Sequence, residues 1–175
     1  MIRYLSIMDL LALQDVTRWH MVRTGRDQTV ADHSWAVTVL ALRMAEELVA
    51  PLTVDERADL MVYALLHDIH EIETGDLPTP AKTTLEEAGL GHAIRALEEA
   101  FWQNRGVPFP TWGSWGRIST LVAAADKMEA ALFYKREGPD PIIKVHLFAG
   151  MVRHMTETFP EETRLIALVQ GAFNG

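Results

Sequence analysis

The sequence contains no cysteine and no long apolar segment, and each absence excludes a class of protein. Without cysteine among its 175 residues, the chain cannot form a disulfide framework, a thiolate metal site or a cysteine nucleophile. No apolar run approaches the ~18 residues that a membrane-spanning helix requires. Residues 1–9 lack the basic start and the small-residue cleavage site of a secretory signal. We therefore expect a cytoplasmic protein that does not bind a membrane.

Basic charge is also scarce, because 16 lysines and arginines face 24 aspartates and glutamates, for a net charge of −8. Binding to nucleic acid depends on basic surface that displaces counterions, so we expect no nucleic-acid partner. One phosphate group on a small substrate needs only a few cations in a pocket. The length and the 49% share of hydrophobic residues predict one domain over residues 1–175.

The sequence lacks the alternating apolar pattern of β-strands, and its apolar residues recur instead with helical spacing. Val37, Ala41, Met44 and Leu48 show this spacing clearly. We predict an all-α bundle of about six to seven helices. The predicted helices cover 5–16, 30–49, 53 to the loop that begins at 75, 84–105, 117–137, a stretch from 141 and a short stretch after 160.

Four ionisable residues interrupt or flank the apolar stripes of three predicted helices, namely His33, the adjacent His67 and Asp68, and Asp126. Each has an ordinary explanation taken alone, such as a hydrogen-bonded core histidine, a helix-end pair or a solvated charge. Taken together, two imidazoles and two carboxylates are ligands that suit a divalent metal ion. The set predicts a metal site with open positions for water and substrate.

The order His33, His67-Asp68, Asp126 resembles the HD-domain phosphohydrolase superfamily, which is all-helical and holds its metal with residues in the order H…HD…D. The sequence is more closely similar to the bacterial 5′-deoxynucleotidases of that superfamily. Four strings carry this resemblance over residues 5–136: Arg18-Trp19, His67-Asp68-Ile69-His70-Glu71, the loop 73–82 (Glu-Thr-Gly-Asp-Leu-Pro-Thr-Pro-Ala-Lys), and Ala124-Ala125-Asp126-Lys127. His20 and His70 depart from the family pattern. The shorter chain also resembles phage-type dATP triphosphohydrolases, in which case the compartment is the host cytoplasm.

The resemblance implies a metal centre and the groups that act beside it. His33, His67, Asp68 and Asp126 are expected to hold one divalent ion, with zinc, cobalt, manganese and magnesium all compatible with these ligands. Asp68 and Glu71 are the expected catalytic residues. Glu71, four residues after His67, can orient or deprotonate the attacking water or protonate the leaving 5′ oxygen. A second metal near Glu71, held with Asp76, is a further alternative.

The same resemblance implies a pocket for a small deoxynucleotide. Arg18 and Lys82 are expected to bind phosphate, since a guanidinium matches two phosphate oxygens. Trp19 is expected to lie against the deoxyribose and exclude a 2′ hydroxyl. The remaining predicted substrate contacts are Met21, Asp76 and Pro78.

The predicted reaction is hydrolysis of a deoxynucleoside 5′-monophosphate to a deoxynucleoside and phosphate. The alternative is release of tripolyphosphate from a deoxynucleoside triphosphate, with Arg23, Arg26 and Lys82 holding the longer anion. A more distant alternative is a catalytically silent regulator that binds deoxynucleotides, and a non-haem iron oxygenase ranks lower still. The resemblance also implies a homo-oligomer, and Trp112 and Trp115 are expected at a subunit contact or over the base.

Overall fold

The computed structural model describes residues 5–105 and 116–174, so the predicted loop with Trp112 and Trp115 lies outside the described residues. No β-strand occurs in these two ranges, which confirms the all-α class. No helix within them is long and apolar enough to cross a membrane. The helices are α1 (Ile7–Leu11), α2 (Val30–Ala45), α3 (Val54–Leu66), α4 (Glu71–Thr74), α5 (Thr79–Glu87), α6 (Gly91–Arg105), α7 (Gly116–Glu137), α8 (Pro141–Thr158) and α9 (Thr163–Asn174), with a 3₁₀ turn at Ala12–Gln14.

These nine α-helices exceed the six to seven predicted, because two predicted helices are divided. The stretch 84–105 was predicted as one helix but contains the end of α5 and all of α6. Between them, Gly89 adopts φ +77°, a left-handed conformation that ends a helix and that glycine tolerates best. The stretch from 53 is likewise divided, since α3 ends at Leu66 and a turn separates it from α4. The first predicted helix, 5–16, is shortened to α1 and the 3₁₀ turn.

Side-chain caps fix where the helices that carry the predicted site begin. The Thr29 hydroxyl accepts from the backbone N–H of Asp32, and the Asp32 carboxylate accepts from the N–H of Thr29. This reciprocal capping box starts α2 at Val30, three residues before His33. Thr53 and Glu56 cap α3 in the same way, and the side chain of Asp140 caps α8.

The main core lies where α2, α3 and α7 pack against one another, with α8 on α7 and α9 on α8. Leu60, Leu121 and Ala125 are among its fully buried residues. A smaller apolar cluster joins the 3₁₀ turn, the start of α2 and the end of α6. The metal-ligand candidates stand on or next to the three central helices, which therefore give them a rigid base.

The connection between the 3₁₀ turn and α2, residues 15–29, crosses the C-terminal part of α7. An isolated antiparallel bridge pairs Thr17 with Thr29, and the backbone N–H of Arg18 donates to the carbonyl of Gln28 (2.8 Å). Trp19 stacks on Phe133 of α7, with ring centroids 5.7 Å apart and planes 15° from parallel. The connection thereby places Arg18 and Trp19 beside the N-terminal end of α2.

A glycine just after α7 leaves room for the aromatic ring that supports Trp19. The ring of Tyr134 lies 5.4 Å from that of Trp19 and is fully buried. A Cβ at Gly138 would lie 2.3 Å from Tyr134 Cε1, so the buried ring would have to move. We expect Gly138→Ala to destabilise the fold by about 1–3 kcal/mol, the usual cost of overpacking a core.

The matched control for this substitution is Gly150→Ala in α8. A Cβ at Gly150 meets no atom within 4 Å, and alanine is the better helix former by about 0.5–1 kcal/mol. Urea denaturation of both variants measures the two effects. Equal midpoints for Gly138→Ala and the unmodified protein would contradict the packing argument.

Candidate metal centre and nucleotide site

The structure brings the four predicted metal ligands together. His33 on α2, His67 at the end of α3 and Asp68 each offer one ligand atom, and these atoms all lie within 4.8 Å of one another. His33 Nε2 is 3.6 Å and His67 Nε2 is 3.2 Å from Asp68 Oδ2. Asp126 on α7 adds a carboxylate oxygen 3.1 Å from His33 Nε2.

The imidazoles are oriented as metal ligands require. His67 Nδ1 lies 2.8 Å from the backbone carbonyl of Ala64, which only accepts, so Nδ1 carries the proton. His33 Nδ1 lies 2.7 Å from the carboxylate of Glu129, which fixes its proton in the same way. In its neutral form each ring presents the lone pair of Nε2, and among the described residues neither buried Nε2 atom has a hydrogen-bond partner. Lone pairs and carboxylates that face one another are the donor set that a divalent cation satisfies.

The charges around this cluster also favour a cation. Burial by itself would raise the pKa of the Asp68 carboxyl, but His67, His33 and Arg18 hold that pKa well below its usual value. The pKa of Asp126 is likewise lowered, against the effect of burial, by its contact with His33 and by Arg18. Both carboxylates therefore remain charged near neutral pH, beside the carboxylate of Glu129.

Metal uptake should release protons from His67. Burial alone would lower the pKa of His67, but Asp68 and Asp126 outweigh burial and raise this pKa to about 9. Without metal, the bound proton stabilises the fold fully below about pH 6.5, and that stabilisation is lost as the pH rises through about 9. A metal ligand must be deprotonated, so metal affinity should rise over this interval.

Calorimetric titration with Zn²⁺ in two buffers of different ionisation enthalpy measures this proton release. His146→Ala is the control, because His146 is an exposed residue on α8 and should leave the proton count unchanged. Metal binding at pH 7.5 with no proton released would contradict the predicted protonation of His67.

Glu71 lies beside the metal-ligand candidates but not on the helix that the sequence suggested. It is the first residue of α4, and its backbone N–H donates to the carbonyl of Asp68 across the turn after α3 (2.9 Å). Glu71 is 2% exposed, and its Oε2 has no hydrogen-bond partner in the part of the chain that the structure describes. Burial, together with the nearby charges of Asp68 and Asp76, raises the pKa of Glu71 to about 9. A buried carboxyl that holds its proton at neutral pH is a candidate general acid.

Arg18 is the buried cation of the site. Its Nε lies 3.7 Å from Asp76 Oδ1 and its Nη1 lies 4.0 Å from Glu129 Oε2, with the side chain 14% exposed. Nη1 is buried, and no hydrogen-bond partner for it occurs within residues 5–105 and 116–174. Asp76 also faces the ring of His20 at 3.8 Å. A guanidinium with unsatisfied donors next to a metal site can bind phosphate oxygens.

The other predicted substrate residues are less buried than Arg18. Pro78 is half-buried and caps the N-terminus of α5. Lys82 stands within α5 rather than in a loop, because the helix begins at Thr79 with Pro80 in its first turn. Met21 is 65% exposed among the described residues, so it lies at the surface.

Two buried polar residues at the site escaped the sequence analysis. Gln28 and Glu129 are 1% and 5% exposed, and the amide of Gln28 donates to Glu129 Oε1 (2.7 Å). Glu129 follows Asp126 by three residues on α7, so the two share a helix face. That spacing could have identified Glu129 from the sequence, whereas no feature of the neighbouring sequence indicated a role for Gln28.

The N-terminal part of the chain matches a described family, and a solved structure shares the fold. Residues 4–105 match the family model described as 5′-deoxynucleotidase YfbR-like. A structure of the cyanophage S-2L HD phosphohydrolase DatZ, described as bound to dA and one catalytic Zn²⁺ ion, superposes with a TM-score of 0.77 at 22% identity. That match covers 98% of both chains, and at this identity it shows the fold alone.

Sequence relatives carry two different names. A dATP triphosphohydrolase of Salmonella phage PMBT28 is 37% identical over 135 residues, which are 74% of this chain and 66% of that protein. The 5′-deoxynucleotidase YfbR of Shigella flexneri is 34% identical over 91 residues, which are 51% of this chain and 45% of that protein. The chain thus spans less than two thirds of the length of either relative. Because the family model covers more than half of the sequence, the chain belongs to the YfbR-like family of HD phosphohydrolases.

Proposed function

We propose that the protein is a metal-dependent phosphohydrolase that cleaves the 5′ phosphoester of 2′-deoxynucleotides. The observation that carries the proposal is the pair of buried imidazole Nε2 atoms, which face Asp68 and Asp126 beside the guanidinium of Arg18. Histidine and carboxylate ligands next to a buried phosphate-binding cation are what hydrolysis of a phosphate ester needs. The names of the relatives also support cleavage of the 5′ phosphoester.

In the proposed reaction, the oxygen of water bonds to phosphorus as the bond between phosphorus and the 5′ oxygen of the sugar breaks. The 5′ oxygen leaves with a proton, and the proton lost by the water passes to solvent. His33, His67, Asp68 and Asp126 would hold a divalent ion, which would supply Lewis acidity and lower the pKa of the attacking water. Arg18 binds the phosphate oxygens and neutralises charge on them, and Lys82 assists from α5. Glu71, which holds its proton at neutral pH, donates that proton to the leaving 5′ oxygen.

The sugar is proposed to lie between Trp19 and Asp76. The indole of Trp19 is held against Phe133 and Tyr134, so it cannot move aside for a 2′ hydroxyl without losing those contacts. Asp76 is oriented by Arg18 and His20 and can accept a hydrogen bond from a sugar hydroxyl. A ribonucleotide should therefore be the poorer substrate.

The proposed resident metal is zinc. Two imidazoles with two carboxylates suit zinc, cobalt or manganese better than magnesium, which prefers oxygen ligands and keeps several waters. The catalytic Zn²⁺ in the related fold supports this choice.

A second candidate reaction is hydrolysis of dATP to deoxyadenosine and tripolyphosphate, which the phage relatives named dATP triphosphohydrolase favour. Both reactions break the same ester bond and differ in the number of phosphates that leave. Of the three cations predicted for the longer anion, Arg26 is paired with Glu137 (3.3 Å), whereas Arg23 is exposed. Arg23 and Lys82 are therefore the cations left to bind the outer phosphates.

Product analysis decides between the two candidates. The purified protein, loaded with Zn²⁺, Co²⁺ or Mn²⁺, is incubated with dAMP, dATP, AMP and ATP, and phosphate species are separated by ion chromatography. Orthophosphate from dAMP identifies the monophosphatase, and intact tripolyphosphate from dATP identifies the triphosphohydrolase. Equal turnover of the ribonucleotides would overturn the role of Trp19. Metal binding without any turnover would overturn the proposed activity in favour of a deoxynucleotide-binding regulator.

A further inference from the structure

We propose that Gln28 and Glu129 are positioning residues that hold His33 in the one tautomer able to bind metal and tie this orientation to the indole of Trp19. The three hydrogen bonds that join Trp19, Gln28, Glu129 and His33 are called the Trp19 relay below. The part of this inference that concerns substrate rests on the proposed function. The part that concerns metal binding is independent of any turnover.

The Trp19 relay is a continuous chain of short contacts in the interior. Trp19 Nε1–H donates to Gln28 Oε1 at 2.7 Å, and Gln28 Nε2–H donates to Glu129 Oε1 at 2.7 Å. The other carboxylate oxygen of Glu129 lies 2.7 Å from His33 Nδ1. Gln28, Glu129 and His33 are all nearly or fully buried, so water does not compete for these bonds.

The chemistry of the indole and of the carboxylate fixes the direction of all three bonds. An indole N–H only donates, so the carbonyl of Gln28 must face Trp19 and its amide must face Glu129. A carboxylate only accepts, so Glu129 requires a proton on Nδ1 of His33. Nε2 of His33 is then left with a lone pair, and it points at Asp68 and Asp126. The residue that the proposed function places at the sugar is thus joined to a metal ligand through two buried side chains.

The backbone of Trp19 shows that its place is tightly fixed. Trp19 has φ +63°, and within the described ranges it is the only non-glycine residue with positive φ. A bulky residue in this conformation is strained and persists only where its surroundings hold it. The bond to Gln28 and the stacking on Phe133 are contacts that hold it.

A carboxylate-to-amide change at Glu129 tests the metal part of the inference. In Glu129→Gln, Gln28 still donates to Oε1, so the new amide N–H is directed at the Nδ1–H of His33. His33 must then adopt the other tautomer or turn away, and metal affinity should fall by about 10–100-fold, the usual effect of losing the group behind a histidine ligand. Co²⁺ affinity is measured by competition with a chromophoric chelator. The tautomer of His33 in the metal-free protein is read by ¹⁵N NMR.

The matched control is Glu47→Gln. Glu47 also has two charged partners, Arg43 at 2.7 Å and Arg164 at 2.8 Å, but it follows the other end of α2. This variant should keep the metal affinity and the His33 tautomer of the unmodified protein. A loss of Co²⁺ affinity as large as that of Glu129→Gln would show a general effect on folding and overturn the inference.

A double variant that exchanges the amide of Gln28 and the carboxylate of Glu129 separates the effect of hydrogen-bond direction from the effects of side-chain size and charge. With Gln28→Glu and Glu129→Gln combined, residue 28 accepts from Trp19 and from the new amide, whose carbonyl accepts from His33 Nδ1–H. All three bonds are restored, so the double variant should bind Co²⁺ more tightly than Glu129→Gln. A part of the loss should remain, because the charge has moved away from His33 and from Arg18, which lies 4.0 Å from Glu129.

Gln28→Met tests the link to the sugar and serves if Glu129→Gln does not fold. It removes both bonds of Gln28 but leaves the contact of Glu129 with His33. The ratio of kcat/KM for deoxynucleotide over ribonucleotide should fall by about tenfold or more, whereas Co²⁺ affinity should change much less.

Native metal affinity and tautomer in folded Glu129→Gln, or an unchanged sugar preference in Gln28→Met, would overturn the inference. Absence of all turnover, with the metal and tautomer effects present, would overturn the proposed function and leave the relay supported.

Discussion

Replacing His67 by alanine should lower the rate of deoxynucleotide hydrolysis by about 1000-fold or more and remove the bound metal. The rate effect follows because a catalytic ion contributes several kcal/mol, and each 1.36 kcal/mol corresponds to about a tenfold rate change. The variant loses one of the two proposed imidazole ligands and one of the neighbours that lower the pKa of the Asp68 carboxyl. Metal content by atomic emission and single-turnover rates measure the two losses together.

The control for His67→Ala is His92→Ala. His92 is an exposed histidine in α6, and its Nδ1 lies 3.0 Å from the carbonyl of Gly89, much as the Nδ1 of His67 faces a backbone carbonyl. This variant should keep both metal and activity. If His67→Ala retained a full equivalent of metal and native rates, the ion would be held elsewhere and the proposed centre would be wrong.

The second large effect is expected from Glu71→Gln, with opposite consequences for activity and stability. The amide keeps the shape of the side chain but cannot donate a proton to a leaving oxygen, so kcat should fall by about 10²–10⁴-fold. Metal content should not change, because Glu71 is not among the proposed ligands. Product formation under saturating metal separates this effect from that of His67→Ala.

The stability effect of Glu71→Gln follows from the raised pKa of this carboxyl. In the unfolded chain Glu71 loses its proton near pH 4.5, whereas in the fold its pKa is about 9. The folded state therefore binds more protons between these values, and its stability falls as the pH rises through that interval. Glutamine does not titrate, so the variant does not lose stability in this way. The metal-free variant should therefore melt at a higher temperature than the unmodified protein at neutral pH. A lower melting temperature would mean that Glu71 is a structural carboxylate rather than a strained functional group.

The fold class and the grouping of the proposed metal ligands were predictable because both leave local signals in the sequence. The helical period of apolar residues predicts the helices, and an ionisable residue such as His33 or Asp126 on or beside an apolar stripe stands out against that period. The number of helices was less predictable. The break at Gly89 depends on backbone conformation, and the end of α3 just before His67 is not marked by proline or glycine.

The hydrogen bonds behind the metal ligands were not predictable from one sequence. Gln28 and Glu129 are separated by 101 positions, and each looks like an ordinary polar residue in its own segment. Only the packing of residues 15–29 across α7 brings them into contact and excludes water from both. A lone glutamine or glutamate carries no information about such a distant partner. The adjacent His67 and Asp68, in contrast, form a recognisable pair within two positions.

The elements that carry the two parts of the site differ in how freely they can change during evolution. The four proposed metal ligands stand on or next to the packed helices α2, α3 and α7, where most substitutions disturb the core. Arg18, Trp19 and Asp76 stand in the connections before α2 and after α4, and connections tolerate substitution and changes of length. Lineages that share this fold can therefore acquire a different preference for sugar, base or phosphate number while the metal centre stays the same. Relatives named 5′-deoxynucleotidase and dATP triphosphohydrolase are an example of the divergence that this arrangement permits.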